Sequence, residues 1–345
     1  MLGPKGELLY VGKSVRLRSR LLSYFRSGVR GRTADLVRLT RNITWELLPD
    51  EFGTLLREMR LIRTHRPPFN VRHKRETAAI YLELTREAAP RLRRVRGPSP
   101  RSGTLFGPYP PSVLSDDALR DLVHTAGLRD CPATTPVEFA DQLPLLPPAR
   151  TRPLCIRGEL NSCPAPCAGG CDEEDYRRRV KAVENLLRGL ETLPLHPLRT
   201  RMKRAAEEEN FELAATHRDR LERIQELTAQ LHALADELER LDFLYLPDSW
   251  GSSPRLYLVR RGAVVMSEQL PEDREAWKAC RKGLRGALSR PRPHPSSMDA
   301  DTGAEVLLTA SWFRNRPQEL HRTTDPAAWL AEGSGLSPLP APASR

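Results

Sequence analysis

Long apolar runs are missing from this 345-residue chain: none approaches the ~18 residues that a membrane-spanning helix needs. The opening stretch, MLGPKGELLYVGK, has no apolar core of the kind a secretory signal carries. The expectation is a cytoplasmic protein with no membrane partner. No internal repeat is present, so repeat architectures are excluded. Cysteine is sparse, six residues in all. In a reducing compartment those thiols point to metal or cluster binding rather than to disulfides. Acidic residues are scarce in the first third, where residues 1–110 hold 23 Lys+Arg against 9 Asp+Glu; the remainder is slightly acidic, 32 against 35. A basic module on a near-neutral body suits a polyanion partner.

The length fits two to four modules at about 100–200 residues each. Residues 7–12 and 43–48 read as short strands. Helices are expected over 14–25, over 33–41 with Thr33 as N-cap, and over 51–65, where Leu55, Met59 and Ile62 share a face before Pro67-Pro68 stops the helix. Residues 79–84 read as another strand, so the first ~96 residues describe a compact mixed domain. Residues 97–115, rich in Pro, Gly and Ser, read as a boundary or surface loop. A short helix over 115–127 precedes a Pro-rich connector at 143–153. Tyr176, Val180, Val183, Leu187 and Leu190 form one stripe of a helix over 173–191. Two helices over 197–240 break near Asn210. Strands at 243–246, 256–259 and 263–267 follow, the last two joined by an Arg-Gly turn that suits a hairpin, then a helix near 272–288. The tail after 335 is expected to be disordered.

In the first domain, Tyr10-Val11-Gly12-Lys13 is followed by Arg16, Arg18 and Arg20, then by Ser23-Tyr24-Phe25; Glu58 and the run His65-Arg66-Pro67-Pro68-Phe69-Asn70 come later. Phosphodiester hydrolysis needs a carboxylate to hold a divalent cation, a cationic side chain to stabilise developing charge, and a group to orient or deprotonate water. This segment supplies candidates for each. The stretches LYVGKSVRLRSRLLSYF and LLREMRLIRTHRPPFNV resemble the GIY-YIG nuclease family and, within it, the excinuclease C (UvrC) family, over residues 7–75. The resemblance implies that Glu58 binds Mg²⁺ or Mn²⁺ and that Arg20 clamps the scissile phosphate. It also implies that Lys13 and Tyr10 orient phosphate or water, and that Asn70 positions the site. Arg16, Arg18, Arg63, Arg66, Arg72, Lys74 and Arg75 are then expected to contact the DNA backbone. The first half of the family signature should lie about ten residues before Tyr10. With Met1 where it is, the first strand and its tyrosine are expected to be absent and to lie upstream of Met1, since a sheet without them exposes unpaired backbone.

Cys131, Cys155, Cys163, Cys167 and Cys171 cluster in 41 residues. Thiolates at such spacings suit a soft metal or an iron–sulfur cluster. RPLCIRGELNSCPAPCAGGCDEEDY is similar to the cysteine motif of the UvrC family, which implies a [4Fe–4S] cluster on Cys131, Cys155, Cys163 and Cys167. Cys171 is an extra thiol that can substitute for one of them, and structural zinc is the alternative. Cys280 is expected to be an ordinary core cysteine.

MKRAAEEENFELAATHRDRLERI is similar to the UVR motif of UvrB and UvrC, through which the two proteins pair as helical hairpins. That implies UvrB as partner, contacted through Met202, Phe211, Glu212, Ala215, Arg218 and Asp219. The family's second nuclease, with an RNase H-like fold, and its terminal tandem helix-hairpin-helix have no counterpart after residue 245; KGLRGALSR (282–290) reads as ordinary helix. A shorter homologue, Cho, likewise lacks the second nuclease. The expected fold is a multidomain α+β chain: a GIY-YIG-like mixed domain at 1–96, a Cys-rich helical region at 97–195, the UVR hairpin at 196–240, a degenerate UvrC-like α/β region at 241–335 and a tail at 336–345. The function these features imply is a metal-dependent endonuclease of nucleotide excision repair, making a 3′-side incision in a UvrB–DNA complex. A catalytically inactive DNA- and UvrB-binding adaptor and a GIY-YIG nuclease of another DNA-processing pathway are the alternatives.

Overall fold

The computed structural model describes residues 1–26, 30–70, 79–99, 102–142, 155–160, 162–190, 195–250 and 254–331. Arg72, Lys74 and Arg75, the connector at 143–153 and the tail at 336–345 lie outside these. In chain order the helices and strands are α1 (Leu17–Tyr24), α2 (Arg32–Leu39), α3 (Glu51–His65), β1 (Ile80–Leu84), β2 (Leu92–Val95), β3 (Thr104–Tyr109), α4 (Asp116–Ala126), the short α5 (Ile156–Glu159), α6 (Glu173–Leu187), α7 (His196–Glu207), α8 (Phe211–Arg240), β4 (Asp242–Tyr245), β5 (Arg255–Arg260), β6 (Ala263–Gln269), α9 (Arg274–Leu288), α10 (Ala300–Asn315), β7 (Thr323–Thr324) and α11 (Pro326–Ala331). Among the described residues no helix is long and apolar enough to cross a membrane.

One compact unit joins Met1–Ala78 to Leu238–Pro293 and Ala300–Arg345. The N-terminal and C-terminal thirds thus share one core, a grouping that the linear segmentation did not contain. Its sheet runs β6-β5-β4-β7, antiparallel throughout. Side chains alternate across it. Leu244, Leu256 and Leu258 meet Cys280, Leu284 and Ala287 of α9 together with Trp329, so Cys280 is the core residue expected. Phe243, Tyr245 and Tyr257 face the other side. There Phe52 of α3, fully buried, stands edge-on to Tyr245 and Tyr257 with ring centroids 5.3 and 5.1 Å away, and packs on Trp312 and Phe313 of α10. The β5–β6 turn is Arg261-Gly262, with φ of 49° and 78°. Two consecutive left-handed residues match the twist of a tight hairpin, and glycine takes the second without strain.

At the start of this unit, the strand expected over 7–12 is reduced to a single bridge, Leu2↔Leu8, and the strand expected over 43–48 does not form, a bridge preceding it at Leu2↔Asn42. Leu2 lies between the other two segments, so Met1–Gly3 form the middle of the ladder. Met1, Leu9 and Leu36 are buried there, with Tyr10, Leu21, Tyr24, Ile43 and Phe69 packed around them.

The second unit comprises Ala79–Glu237 and His294–Asp299. Its sheet is β2-β1-β3, antiparallel. The strand expected at 79–84 thus belongs here rather than with residues 1–78, and the loop expected over 97–115 contains β3. Leu105, Phe106 and Tyr109 are buried in β3, a spacing that the Gly and Pro around them obscure in the sequence. Ser115 caps α4, its hydroxyl accepting from Ala118 N–H, and Gly127 closes it in the left-handed region. Tyr176, Val183 and Leu187 of α6 are buried as the stripe predicts; Leu190 lies past the end of α6 and is exposed. α7 and α8 form the hairpin expected at 197–240. Asn210 is its N-cap, accepting from Leu213 N–H at 3.1 Å.

Candidate active site

α3 carries Glu58. Asp50 starts the helix, accepting from Gly53 N–H at 2.6 Å and from the Tyr257 hydroxyl at 2.8 Å. Phe52, Leu56, Met59 and Ile62 bury one face. Glu58, on a half-buried flank, accepts the Lys13 backbone N–H on Oε1 at 3.1 Å. The helix ends at Arg66 in the left-handed region, and Pro67-Pro68 turns the chain back so that Phe69 N–H reaches Leu9 O at 3.1 Å. This places Asn70, 3% exposed, beside Val11. Its Oδ1 accepts Val11 N–H at 2.9 Å and its Nδ2 donates to Val11 O at 2.7 Å. Both ends of the amide are engaged by one residue of the Tyr10–Lys13 segment, so Asn70 acts by fixing that segment.

Tyr10 folds over Gly12: a Cβ on Gly12 would lie 2.7 Å from the Tyr10 hydroxyl and ring edge. Only glycine admits that approach. Tyr10 and Tyr24 meet edge-on, centroids 6.2 Å apart, and the Arg20 guanidinium lies 5.3 Å from the Tyr24 ring centroid. A hydrogen bond to the Tyr10 hydroxyl, and then the charge of Tyr24, raise the Arg20 pKa. Burial first, and then the hydrogen bond with Tyr10, push the Tyr24 phenol up to about 12. Tyr24 is the member of this cluster that motif matching passes over. Its signal was available, since it stands one helical turn after Arg20 on α1.

Lys13 Nζ lies 3.6 Å from Glu51 Oε1, and Arg316 donates to the same oxygen at 3.0 Å while its guanidinium stacks 4.0 Å from the Trp312 ring centroid. Glu51 and Arg316 carry no motif signal in the sequence. Of the expected DNA contacts, Arg16, Arg18 and Arg66 are exposed. Arg63 is mostly covered and paired with Asp301, so it differs from a free surface cation.

In the second unit the thiols are free. Among the described residues no group of three or more His, Cys, Asp or Glu stands close enough to hold a metal ion. The thiols nevertheless feel one another. Burial first, and then the charges of Cys131, Cys155 and Cys167, push the Cys163 thiol up to about 11; burial and the charges of Cys155 and Cys131 raise Cys167. Cys171 has other neighbours, Arg179, Asp175, Asp172 and Asp141. Arg129, almost fully buried, lies beside the set. It pairs with Glu87, donates to Ala89 O at 2.8 Å and reaches Cys131 Sγ at 3.6 Å. Its own N–H donates to the Tyr176 hydroxyl at 3.0 Å.

At the tip of the α7–α8 hairpin Phe211 is 70% exposed and Leu213 is exposed beside it. Glu212 is exposed, Met202 and Ala215 are half-buried, and Arg218 pairs with Asp219 at 2.8 Å. Leu213 is the exposed apolar residue that the motif reading omitted.

Three family descriptions match in order: the UvrC-like GIY-YIG domain at residues 1–71, the UvrC/Cho excinuclease middle domain at 79–186, and the UvrB/UvrC motif at 194–227. Among curated proteins, the chain is similar to proteins named UvrABC system protein C. The one from Shewanella denitrificans is 34% identical over 69% of this chain and 37% of its own length. That from Moorella thermoacetica is 32% identical over 76% and 41%, and that from Lactobacillus acidophilus 29% over 91% and 52%. The chain thus spans between about a third and a half of the length of these relatives. No solved structure gives a match. By the identity and order of its matched segments, the chain belongs to the UvrC-like GIY-YIG family.

Proposed function

We propose that this chain is a metal-dependent DNA endonuclease of nucleotide excision repair that cuts on the 3′ side of a lesion in a UvrB–DNA complex. The observation that carries the reading is the convergence of Lys13, Glu58 and Asn70, far apart in sequence, on one backbone segment through three hydrogen bonds. Tyr10, Arg20 and Tyr24 form a cluster with that segment.

Roles follow from chemistry. Arg20, oriented by its hydrogen bond with the Tyr10 hydroxyl, faces the anionic phosphate and stabilises the charge that grows on it. The Tyr24 phenol stays protonated at neutral pH and so donates a hydrogen bond rather than taking a proton. Tyr10 and Lys13 orient the phosphate and the attacking water. Asn70 and Gly12 fix the segment that presents both. Magnesium-type cations are held by one or two carboxylates with phosphate and water oxygens completing the shell, so Glu58 is a sufficient protein ligand. Mg²⁺ or Mn²⁺ bound there supplies the Lewis acidity that polarises the phosphate.

Cys131, Cys155, Cys163 and Cys167 are proposed to hold a [4Fe–4S] cluster. Four thiols within range of one another's charge, and Cys171 in a different environment, support that set. A single zinc ion needs its thiolates roughly 4 Å apart, given Zn–S bonds of about 2.3 Å. A four-iron group spreads them further. The hairpin tip is proposed to dock UvrB through Phe211.

The test is nicking of a lesion-bearing duplex with Mg²⁺ and UvrB. Wild type is expected to nick, and Glu58→Gln to nick at least about 100-fold more slowly. Wild type no faster than Glu58→Gln would overturn the enzyme reading.

A further inference from the structure

We propose that the solvent face of α9 is a second DNA-backbone surface, separate from the incision site. Residues 276–293 contain six Lys+Arg and no Asp or Glu. Three of the six are engaged: Lys278 pairs with Glu275, Arg281 donates to the Leu330 carbonyl at 2.7 Å, and Arg292 pairs with Asp242 at 2.8 Å. The helix buries Cys280, Leu284 and Ala287. Arg274, Lys278, Lys282 and Arg285 stand at intervals of four, four and three residues on the opposite face, and all four are exposed. They form one stripe spanning roughly 16 Å at 1.5 Å per residue. Among the described residues Arg274, Lys282 and Arg285 have no ion pair.

A second, independent feature points to a ligand that comes close to the helix itself. Glycine inside a helix is unfavourable by about 1 kcal/mol against alanine, and such residues usually answer a packing need. Here none is visible. A Cβ on Gly286 would meet nothing within 4 Å, and one on Gly283 only Met266 Sδ at 3.9 Å. Gly286 stands beside the cationic stripe and leaves the backbone bare there, whereas Gly283 turns toward Met266 of the sheet. A duplex presents one phosphate charge per about 1.7 Å of axis, which matches a row of cations on a low ridge better than an acidic protein side chain does. The sheet separates α9 from α3, so the phosphates held here are not those beside Glu58.

The inference rests on the DNA reading above, and the experiment separates the two. Duplex binding by the 345-residue chain is measured by fluorescence anisotropy from about 0.05 to 0.2 M salt, in a Glu58→Gln background so that nothing is cut. Arg274→Ala/Lys282→Ala/Arg285→Ala is expected to lower the salt slope of log affinity by up to about 3, near 0.9 per lost phosphate contact, and to weaken binding at least tenfold. Gly286→Leu is expected to weaken binding at least threefold while raising the melting temperature. On the Glu58 chain the triple variant is expected to raise KM for nicking and leave kcat unchanged. An unchanged slope overturns the surface, and so does an equal loss with the control Arg177→Ala/Arg178→Ala on α6, which removes net charge elsewhere. Wild type that fails to nick while its slope responds to the α9 variant overturns the nuclease and keeps the surface.

Discussion

The backbone around Glu58 is held in place by side-chain hydrogen bonds, whereas the thiols of the second unit are free, with no disulfide among them. In the first region, side-chain amides and carboxylates reach back to main-chain groups. Asn70 takes both polar groups of Val11, and Glu58 takes the N–H of Lys13. In the second, Arg129 and Tyr176 are bound to the backbone by several hydrogen bonds, and Cys163 takes one from the backbone at Ala165. A site whose ligand is a transient phosphate is assembled before the ligand comes. A site whose ligand stays can leave the last closure to it. The difference can be broken or sharpened by experiment.

The largest effect is expected at Asn70. Leucine there removes both hydrogen bonds and leaves the half-buried Val11 N–H and O without their side-chain partner, a loss of up to about 1–3 kcal/mol for each group. Asn70→Leu is expected to slow nicking at least about 100-fold, with the melting temperature of the rest of the chain lowered by only a few degrees. Wild-type rates in this variant would show that Asn70 does not organise the Tyr10–Lys13 segment.

The cysteine region gives the next effect. Cys163→Ser is expected to lose bound iron and its visible absorbance by more than half, and Cys171→Ser to keep both. Iron content and absorption of anaerobically purified protein decide it. Equal loss from both variants would put Cys171 in the set, against its separate neighbourhood. Zinc in place of iron would establish the structural-metal alternative.

The two regions also differed in how much a reader of the sequence could see. Glu58, Asn70, Tyr10, Lys13 and Arg20 could be named as candidates because each is a chemically distinctive residue at a fixed interval, and the structure brings them near one backbone segment. The helices α3, α6 and α8 were legible from one-sided apolar spacing. What escaped has a physical cause in each case. α10 is buried nearly all round, so ADTGAEVLLTASWFRN shows no polar stripe to mark a helix. β3 passes through Gly107-Pro108, residues that read as a loop. The strand at 7–12 is reduced to a bridge, its one ladder pair being Leu8 with Leu2. Arg129 and Arg316 looked like two more arginines among many, and only tertiary contacts separate them from the rest.

Tyr24 supplies a smaller effect with a definite pH sign. Its folded pKa is about 12, above the ordinary value of 10.0. The neutral phenol is therefore favoured in the fold. The stability tied to it is complete below pH 10 and falls as pH rises from about 10 to about 12. Tyr24→Phe is expected to show a shallower drop in melting temperature over that window and to nick about tenfold more slowly at pH 8. An unchanged pH dependence would mean that Tyr24 is not held against Tyr10 and Arg20.

The smallest effect tests whether Arg316, outside the three matched family segments, takes part in the proposed incision site. Glu51 lies seven residues before Glu58 on α3, two turns away on the same face, and receives both Lys13 and Arg316. All three side chains are about a third exposed, so the ion pairs are screened and are worth at most about 1 kcal/mol. They act on position rather than on stability. Trp312, against which Arg316 stacks, is itself fixed by its N–H donating to the Tyr245 hydroxyl at 3.1 Å, so the guanidinium has a rigid base in the C-terminal part of the core. Arg316→Ala is expected to lower kcat up to about fivefold, the rate equivalent of that energy, with KM and melting temperature unchanged. Glu51→Gln should do the same, and the double variant should be no worse than either single one, because both act through the Lys13 ammonium. Additive losses would separate Arg316 from Lys13, and faster nicking by Glu51→Gln would mean that Glu51 withholds Lys13 from phosphate rather than presenting it.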